Sequence, residues 1–536
     1  MKIAALPLTE ALCERFTVTL NGQPAPVAAA RVSAMIFNCG WPGHQRPLDQ
    51  TEIAGFVRCE SNGPVEVCAT VKEEVTEVCV RPLSKKIEVA QDGGTMTCTL
   101  PGPGQDVLEP NDFHQALHIF VAPETELPAA VQEALAEVEA ADEVSGLDEK
   151  NDGNNLDEEN AEMMGAGDVL YFGPGVHEIG LMELYDDQTV ILDAGAVVYG
   201  GFVAFGRKNI TITGTGILDG SWEKRTSDTQ LVTALGIWQE VEGRDYFLDN
   251  DRLRAYIEEH KVLNGCIRLH NCVNCTIAHI TCRDSSTFTI VPTACENILI
   301  DDVKMIGMWR YNSDGVDYFN SRNCVLKNSF LRNFDDCVVL KGMCGWGHCN
   351  LENIITENCV IWCDWGRGLE IGAETNADEY CNIIFRNCDV IHGSWLHLDI
   401  QHHNDAYIHD IIFDDIRVEY TKHQQPLKMQ DSDEQTYEEA KTIFTQPMLL
   451  GAFFLDMGLF GPGHSGQNIE RILFRNIQVL SDEEVPMQKC GFEGLNEKNH
   501  VENVTIENLT RNGVRITTPE EANLQCNEFA WDVKLK

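Results

Sequence analysis

Apolar and polar residues alternate in short runs along most of the chain, the two-residue period of half-buried strands rather than the period of a helix. Up to residue 126 such runs, among them Val65-Glu-Val-Cys-Ala-Thr-Val and Ala116-Leu-His-Ile-Phe-Val, are separated by Gly, Pro and Asp-Gly turns. The simplest closure is an N-terminal β-sandwich domain over 1–126, with no catalytic grouping of its own. Between 127 and 166 the pattern lapses. Residues 129–141 have helical periodicity, while 148–162 are acidic, rich in Asn and nearly free of large apolar groups, which reads as a solvated linker. A window at 148–159 has the outline of a calcium loop, but Lys150 stands at a ligand position and Asn155 replaces the usual apolar residue.

From 167 to 536 a repeat takes over. An Asn or Asp, an alternating apolar triplet and a second Asn or Asp recur from Asn209, Asn274, Asn297, Asn323, Asn353, Asn382, Asp410 and Asn503, with Arg471 beginning a degenerate copy. In the uninterrupted part the starts are 23, 26, 30, 29 and 28 residues apart. One short strand per period cannot bury its face alone. Stacked copies give a continuous interior from Ile210, Ile212, Ile277, Ile298, Ile300, Leu326, Ile383, Phe385, Ile411, Phe413, Ile472 and Phe474. Alternation excludes a helical solenoid, and the repeat is too short for a propeller blade. The pattern therefore predicts an all-β chain whose main domain is a right-handed, single-stranded parallel β-helix, with the Asn residues at turns, stacked as ladders. Two inserts, 221–263 and 422–467, would leave the coil as loops and wall a groove; each holds a helix-like charged segment, at 252–260 and 436–443.

Charge and composition narrow the function. With 84 acidic against 40 basic residues the formal net charge is −44, a field that repels nucleic acid and anionic membranes and tilts the reading toward neutral sugars. No segment is long and apolar enough to span a bilayer, and the first ten residues carry too short an apolar run for a signal peptide, so a cytoplasmic protein is expected. Its 21 cysteines are then expected reduced. Cys272, Cys275 and Cys282 approach zinc-ligand spacing but fall in the strand repeat without a second well-spaced pair, and read as core; no metal and no cofactor is expected.

The candidate chemistry lies in Asn312-Ser-Asp-Gly-Val-Asp and Asp335-Asp-Cys-Val-Val-Leu-Lys-Gly. Asp314 ends one strand-like run, and Asp335 and Asp336 stand at the equivalent point of the next. Stacked coils would bring these points to about 4.8 Å. Carboxyls in unlike environments supply one protonated acid and one ionised base at the same pH, which glycosidic cleavage requires. Adjacent residues of an ideal strand face opposite sides, so Asp335 and Asp336 can both serve only where the strand ends in a bend or bulge. A surface turn rich in Asp and Asn is the alternative.

These motifs, with Ser321-Arg-Asn-Cys-Val-Leu-Lys-Asn between them, resemble the active-site coils of glycoside hydrolase family 28, the polygalacturonases. The N-terminal β domain, with Val169-Leu-Tyr-Phe-Gly-Pro-Gly-Val-His and Ile212-Thr-Gly-Thr-Gly-Ile-Leu-Asp-Gly, is similar to family 49, the dextranases and isopullulanases. The resemblance implies an inverting hydrolase with Asp335 as general acid and Asp314 and Asp336 sharing a water as general base. Family 28 carries Gly-His-Gly where this chain has Gly366-Arg367-Gly368, and Arg-Ile-Lys where it has His397-Leu-Asp399. An acidic residue at the lysine position disfavours a uronate, so neutral or mixed, α-linked oligosaccharides are the expected substrate, and a polygalacturonase acting on oligogalacturonides the alternative. Asn312, Arg367, Glu370, His397, Asp399, His402 and Trp365 are the expected substrate contacts; Trp309, Trp346 and Trp395 recur nearby and could stack on sugars or pack under loops. Two other classes remain: a lyase or epimerase on the same scaffold, which would want a basic abstracting residue, and a non-catalytic carbohydrate-binding β-helix, which leaves the three aligned Asp residues unexplained.

Overall fold

The computed structural model describes residues 1–39, 47–124, 169–223, 265–342, 350–432, 434–455 and 467–536, with a few isolated positions and the strand Met163–Ala166 besides. The helix-like segments at 129–141 (but for Gln132) and 252–260, the calcium-like window and Trp346 lie outside them.

The N-terminal strands form two sheets face to face. One runs through Thr51–Glu60, Leu117–Ala122, Gly104–Pro110 and Val78–Arg81; the other through Thr17–Leu20, Val65–Thr70 and Thr95–Leu100. Alternation sorts their side chains: Val57, Cys59, Leu108 and Ile119 meet Val18, Leu20, Val65 and Val67 inside the sandwich. The opposite face of the first sheet is apolar too. Phe56, Val107 and Phe120 pack against Ile306, Phe330, Trp362 and Ile391 of the second domain, so that sheet is buried on both sides.

The second domain is a parallel β-helix whose coils carry three strands each, although the repeat marks only the first. One coil runs Arg322–Lys327, Phe330–Asn333, Val338–Gly342, and the next Leu351–Glu357, Val360–Cys363, Arg367–Thr375. The second strands are short, and they and the third strands are too fully buried to show an alternating pattern, which is why periodicity passed over them. Register is strict: Ile354, Ile383, Ile411, Ile472 and Val504 are successive partners along the interior. Phe385, Phe413 and Phe474 stack at 4.8 and 4.9 Å. Cys272, Cys275 and Cys282 belong to this same interior.

From Asn274 onward the repeat's polar residues sit one to three positions inside the strand rather than at its end. From Asn209 to Asn503 each start position is left-handed, with φ between 54° and 59°, a conformation Asn tolerates because its amide bonds locally. The side chains form the expected ladder, Asn297 donating to Asn274 at 3.0 Å and Asn353 to Asn323 at 2.9 Å. Arg471 continues it by a two-pronged contact with Asp410 at 2.8 and 3.1 Å. A second ladder, Asn328, Asn358 and Asn387, fills the first corner of the coil.

The insert after residue 422 differs from expectation. Residues 437–439 make a single turn, tied by Thr436 to Glu439, and Lys441–Phe444 is a strand that pairs antiparallel with Leu427–Gln430. That hairpin continues in parallel with Phe37–Cys39 of the N-terminal domain, and strand pairing outweighs the short segment's helical preference. Buried ions complete the domain contact. Arg81 bonds Glu109 at 2.7 Å and also Glu419; His392 meets Glu109 at 2.5 Å; Arg283 meets Glu10 at 2.6 Å and also Asp219. Removing Arg81 would strand two buried carboxylates, so Arg81→Ala is expected to lower stability by about 3–5 kcal/mol in denaturant unfolding, and Arg81→Lys by less.

Candidate active site

Asp335 and Asp336 fall in the bend between Phe330–Asn333 and Val338–Gly342, not within a strand. Two features make the bend. The amides of Trp365 and Gly366 donate to the Phe334 carbonyl, and Cys337 turns into the coil interior. Both carboxylates thereby face the same way. A carbon added to Gly366 would lie 2.5 Å from an oxygen of each and 2.7 Å from the Asp336 amide, so only glycine fits beneath the pair. One coil earlier, the Gly315 amide donates to the Asp336 carbonyl at 2.8 Å, and the Asp314 carbonyl accepts from the amide and hydroxyl of Thr289 at 3.0 and 2.6 Å. Asp314 is therefore pinned beside its neighbour on the next rung. It points not into apolar packing but at Lys341, whose ammonium lies 2.8 Å from it, 3.1 Å from Asp317 and 3.9 Å from Asp336.

Arg367 is the second cation. Its amide donates to Asp336 at 3.0 Å, and its guanidinium lies 3.3 Å from the same oxygen and 3.7 Å from Glu370. It also donates to Gln401 at 3.3 Å, which in turn donates to Asp399 at 2.8 Å. Its plane lies over the Trp395 ring at 4.1 Å. Asp317, Val339, Glu370 and Asp399 occupy one column on successive rungs, which is why the acids converge.

Six buried carboxyls thus surround Lys341 and Arg367, with Arg268 acting on Asp317, and they cannot all be ionised. Burial, with the Asp336 charge beside it, pushes Asp335 up to about 7 against the pull of Arg367 and Lys341. Asp336 goes the other way: burial raises it, but Arg367 and Lys341 outweigh burial and hold it below the usual range. Burial raises Asp317 to about 6 and Asp399 to about 7, and lifts Glu370 and Asp314 well above the ordinary value, Asp314 despite Lys341. Of the adjacent pair, Asp336 is therefore the ionised member, and Asp335 the one that holds a proton up to about pH 7.

Of the expected substrate contacts, Arg367, Glu370 and Asp399 join this cluster, and Asn312 lies in the turn that leads into Asp314. Three others differ from expectation. His402 is turned to protein, its ring nitrogens at 2.8 Å from the Thr375 hydroxyl and 2.6 Å from the Ala406 carbonyl, because it shares the strand face of Leu398 and Ile400. His397 is enclosed, its ring against Tyr420 at 5.1 Å and close above Gly393. Trp365 packs among Ile36, Tyr311, Phe334 and Leu427, forming the wall between coil, insert and N-terminal domain rather than a sugar platform. Trp395 is half-buried and borders the cluster, whereas the indole of Trp309 donates to Asp284 at 2.9 Å. His403 meets the Leu455 carbonyl at 2.9 Å. Asp317, Lys341 and Gln401 were missed. All three stand two residues from, or at the end of, motifs already singled out, and strand alternation would have put Asp317 and Lys341 on the outward face with the acids.

With this geometry in view, the comparisons with known proteins have a place to attach. The family described as Glycosyl hydrolases family 28 matches residues 208–442, somewhat under half of the chain and including every acid of the cluster. Exopolygalacturonase X-1 of Emericella nidulans is 25% identical over 177 residues, 32% of this chain and 33% of that protein. An exopolygalacturonase of Cochliobolus carbonum is 24% identical over 36% of this chain and 37% of its own length. The chain thus spans about a third of the length of the curated relatives it matches. In fold, Dex49A from Penicillium minioluteum superposes with a TM-score of 0.51 at 14% identity, covering 99% of this chain and 96% of that one, N-terminal sandwich included. The resemblance to family 28 stands on the matched residues, and the likeness to Dex49A is one of fold.

Two expectations follow from the site. Gly366→Ala should lower kcat by about a hundredfold or more while the fold, followed by circular dichroism, is retained, since displacement of reacting groups by about 1 Å has that effect. Asp335 and Asp399 bind their protons more tightly folded than unfolded, so between about pH 4 and 7 the folded state loses ground as pH rises. Asp399→Asn should therefore raise the Tm at pH 8 relative to the parent, with the difference vanishing near pH 4.

Proposed function

We propose that the chain is an inverting glycoside hydrolase acting on neutral or mixed α-linked oligosaccharides. The observation that carries the reading is the adjacent pair Asp335 and Asp336, whose carboxylates both lie against Gly366, the first raised by burial and the second held low by Arg367 and Lys341. In this reading Asp335 donates its proton to the leaving glycosidic oxygen, and Asp336 takes a proton from the water that attacks the anomeric carbon from the opposite face. Asp314, held by Lys341 and raised by burial, keeps that water in place rather than acting as a second base. Lys341 and Arg367 keep the Asp336 charge in the cleft, and Trp395 offers its ring at the border.

The substrate reading rests on charge. Lys341 and Arg367 are both committed to carboxyl groups, and Glu370 and Asp399 lie where a bound uronate would want cations. An uncharged sugar can accept hydrogen bonds from protonated Asp399 and Glu370 without repulsion. A second reading, hydrolysis of oligogalacturonides, is favoured by the names of the curated relatives. The unpaired cysteines support the cytoplasmic setting as part of the proposal.

The deciding experiment offers the protein neutral α-linked oligosaccharides and oligogalacturonides side by side, following the first anomer released by NMR. The proposal expects β-anomer from the neutral series and a kcat lowered about 10²–10⁴-fold in Asp335→Asn. Turnover of galacturonides alone selects the second reading, α-anomer first rules out inversion, and full activity in Asp335→Asn rules out the assigned acid.

A further inference from the structure

We propose that Glu379, Cys381 and His409 form a zinc-binding site on the outer face of the β-helix, on the sheet of first strands rather than among the acids of the cleft. Cys381 and His409 are register partners on adjacent rungs, and Glu379 stands two residues before Cys381 on the same strand face. Tyr380 between them points into the core. One donor atom from each of the three lies within 4.8 Å of the others. Sulfur, imidazole and carboxylate together are a donor set that zinc accepts, with water as a fourth ligand.

Three further observations distinguish this group from a chance cluster. The Cys381 side chain belongs to a residue only 7% exposed, and its thiol has no hydrogen-bond partner among the described residues. The His409 ring is already oriented, Nδ1 lying 2.7 Å from Asp410, and Asp410 is gripped in turn by Arg471 at 2.8 and 3.1 Å. Such a carboxylate behind a histidine is the usual support of a metal ligand and leaves Nε2 for the ion. Finally, Glu352 precedes Cys381 and Glu470 follows His409 in the same column, so carboxylates lie on both neighbouring rungs and attract a divalent cation.

Nε2 of His409 and the Glu379 oxygen are 2.6 Å apart, a hydrogen-bond distance. Tetrahedral zinc requires about 3.3–3.6 Å between ligand atoms, so Glu379 must withdraw by less than about 1 Å while the thiol closes in. Glu379 has the freedom to do so, its side chain being 37% exposed. Binding releases to solvent the thiol proton and the proton between Nε2 and Glu379; the thiolate and carboxylate then balance the charge of the ion, and the neutral imidazole completes the donor set.

The test uses the full-length chain after chelator treatment, carried on a Cys526→Ser background because Cys526 is exposed and could take metal adventitiously. Zinc is titrated against a chromogenic chelator, and cobalt is added separately to read thiolate-to-metal charge transfer. The proposal expects one zinc per chain, a cobalt charge-transfer band that Cys381→Ser abolishes, and affinity lowered at least tenfold in Cys381→Ser and Glu379→Gln. Asp410→Asn, which leaves all three ligands in place, should weaken binding about 10–100-fold without changing stoichiometry. Circular dichroism checks that each variant is folded. Zinc binding no tighter in the parent than in folded Cys381→Ser, or a cobalt band that survives Cys381→Ser, overturns the proposal and leaves His409 as a hydrogen-bonded link between Glu379 and Asp410.

Discussion

Six buried carboxyls stand around Lys341 and Arg367, with Arg268 acting on Asp317 alone, and most of what is distinctive here follows from that imbalance. Lys341 and Arg367 cannot neutralise Asp314, Asp317, Asp335, Asp336, Glu370 and Asp399 together. Protons must make up the difference, and they go where the cations are least effective. Asp336 faces both and stays charged; Asp335, one residue away, feels that charge at close range and keeps its proton. The chemistry of an acid and a base is thus produced from two identical side chains by position alone.

The parallel coil is what allows such a concentration of like charge. Each rung is fixed above the last by main-chain pairing and by an interior of Ile, Val and stacked Phe, so the outward acids cannot move apart without disrupting rungs on both sides. Burial of each such apolar side chain is worth about 1.5–3 kcal/mol, and the column repeats over many coils, a large reserve against the few acids that oppose folding. The N-terminal sandwich adds to it. Its double-faced sheet and the ions around Arg81 and Arg283 clamp the second strands of the coils, directly behind the corner from which Asp335 and Asp336 project.

The main features of the fold were legible because a stacked coil writes its period into the chain. The ladder positions, the interior Ile and Phe residues and the sandwich all come from alternation and spacing. What alternation could not reveal were the second and third strands, buried on both faces, and the hairpin at 427–444, whose strand character comes from pairing with Phe37–Cys39, a partner nearly four hundred residues away in sequence. At the site, the Asp motifs lie on neighbouring coils as their spacing implied, and Arg367, Glu370 and Asp399, reached by counting from one rung to the next, lie beside them. His402 and Trp365 were misjudged because residue type suggested sugar contact while strand face and cluster membership decided otherwise. Lys341 was quoted within a motif yet passed over, since its role depends on Asp314 and Asp317 in the preceding coil.

The proton on Asp335 is the claim from which the rest of the chemistry descends, and it can be observed without any substrate. Difference infrared spectroscopy of protein labelled with ¹³C-aspartate, followed across pH, would resolve protonated from ionised carboxyls. The account predicts two aspartate carboxyls that ionise near pH 7, one of them lost from the spectrum in Asp335→Asn and the other in Asp399→Asn. A spectrum in which every aspartate is ionised by about pH 5, as ordinary carboxylates are, would contradict it.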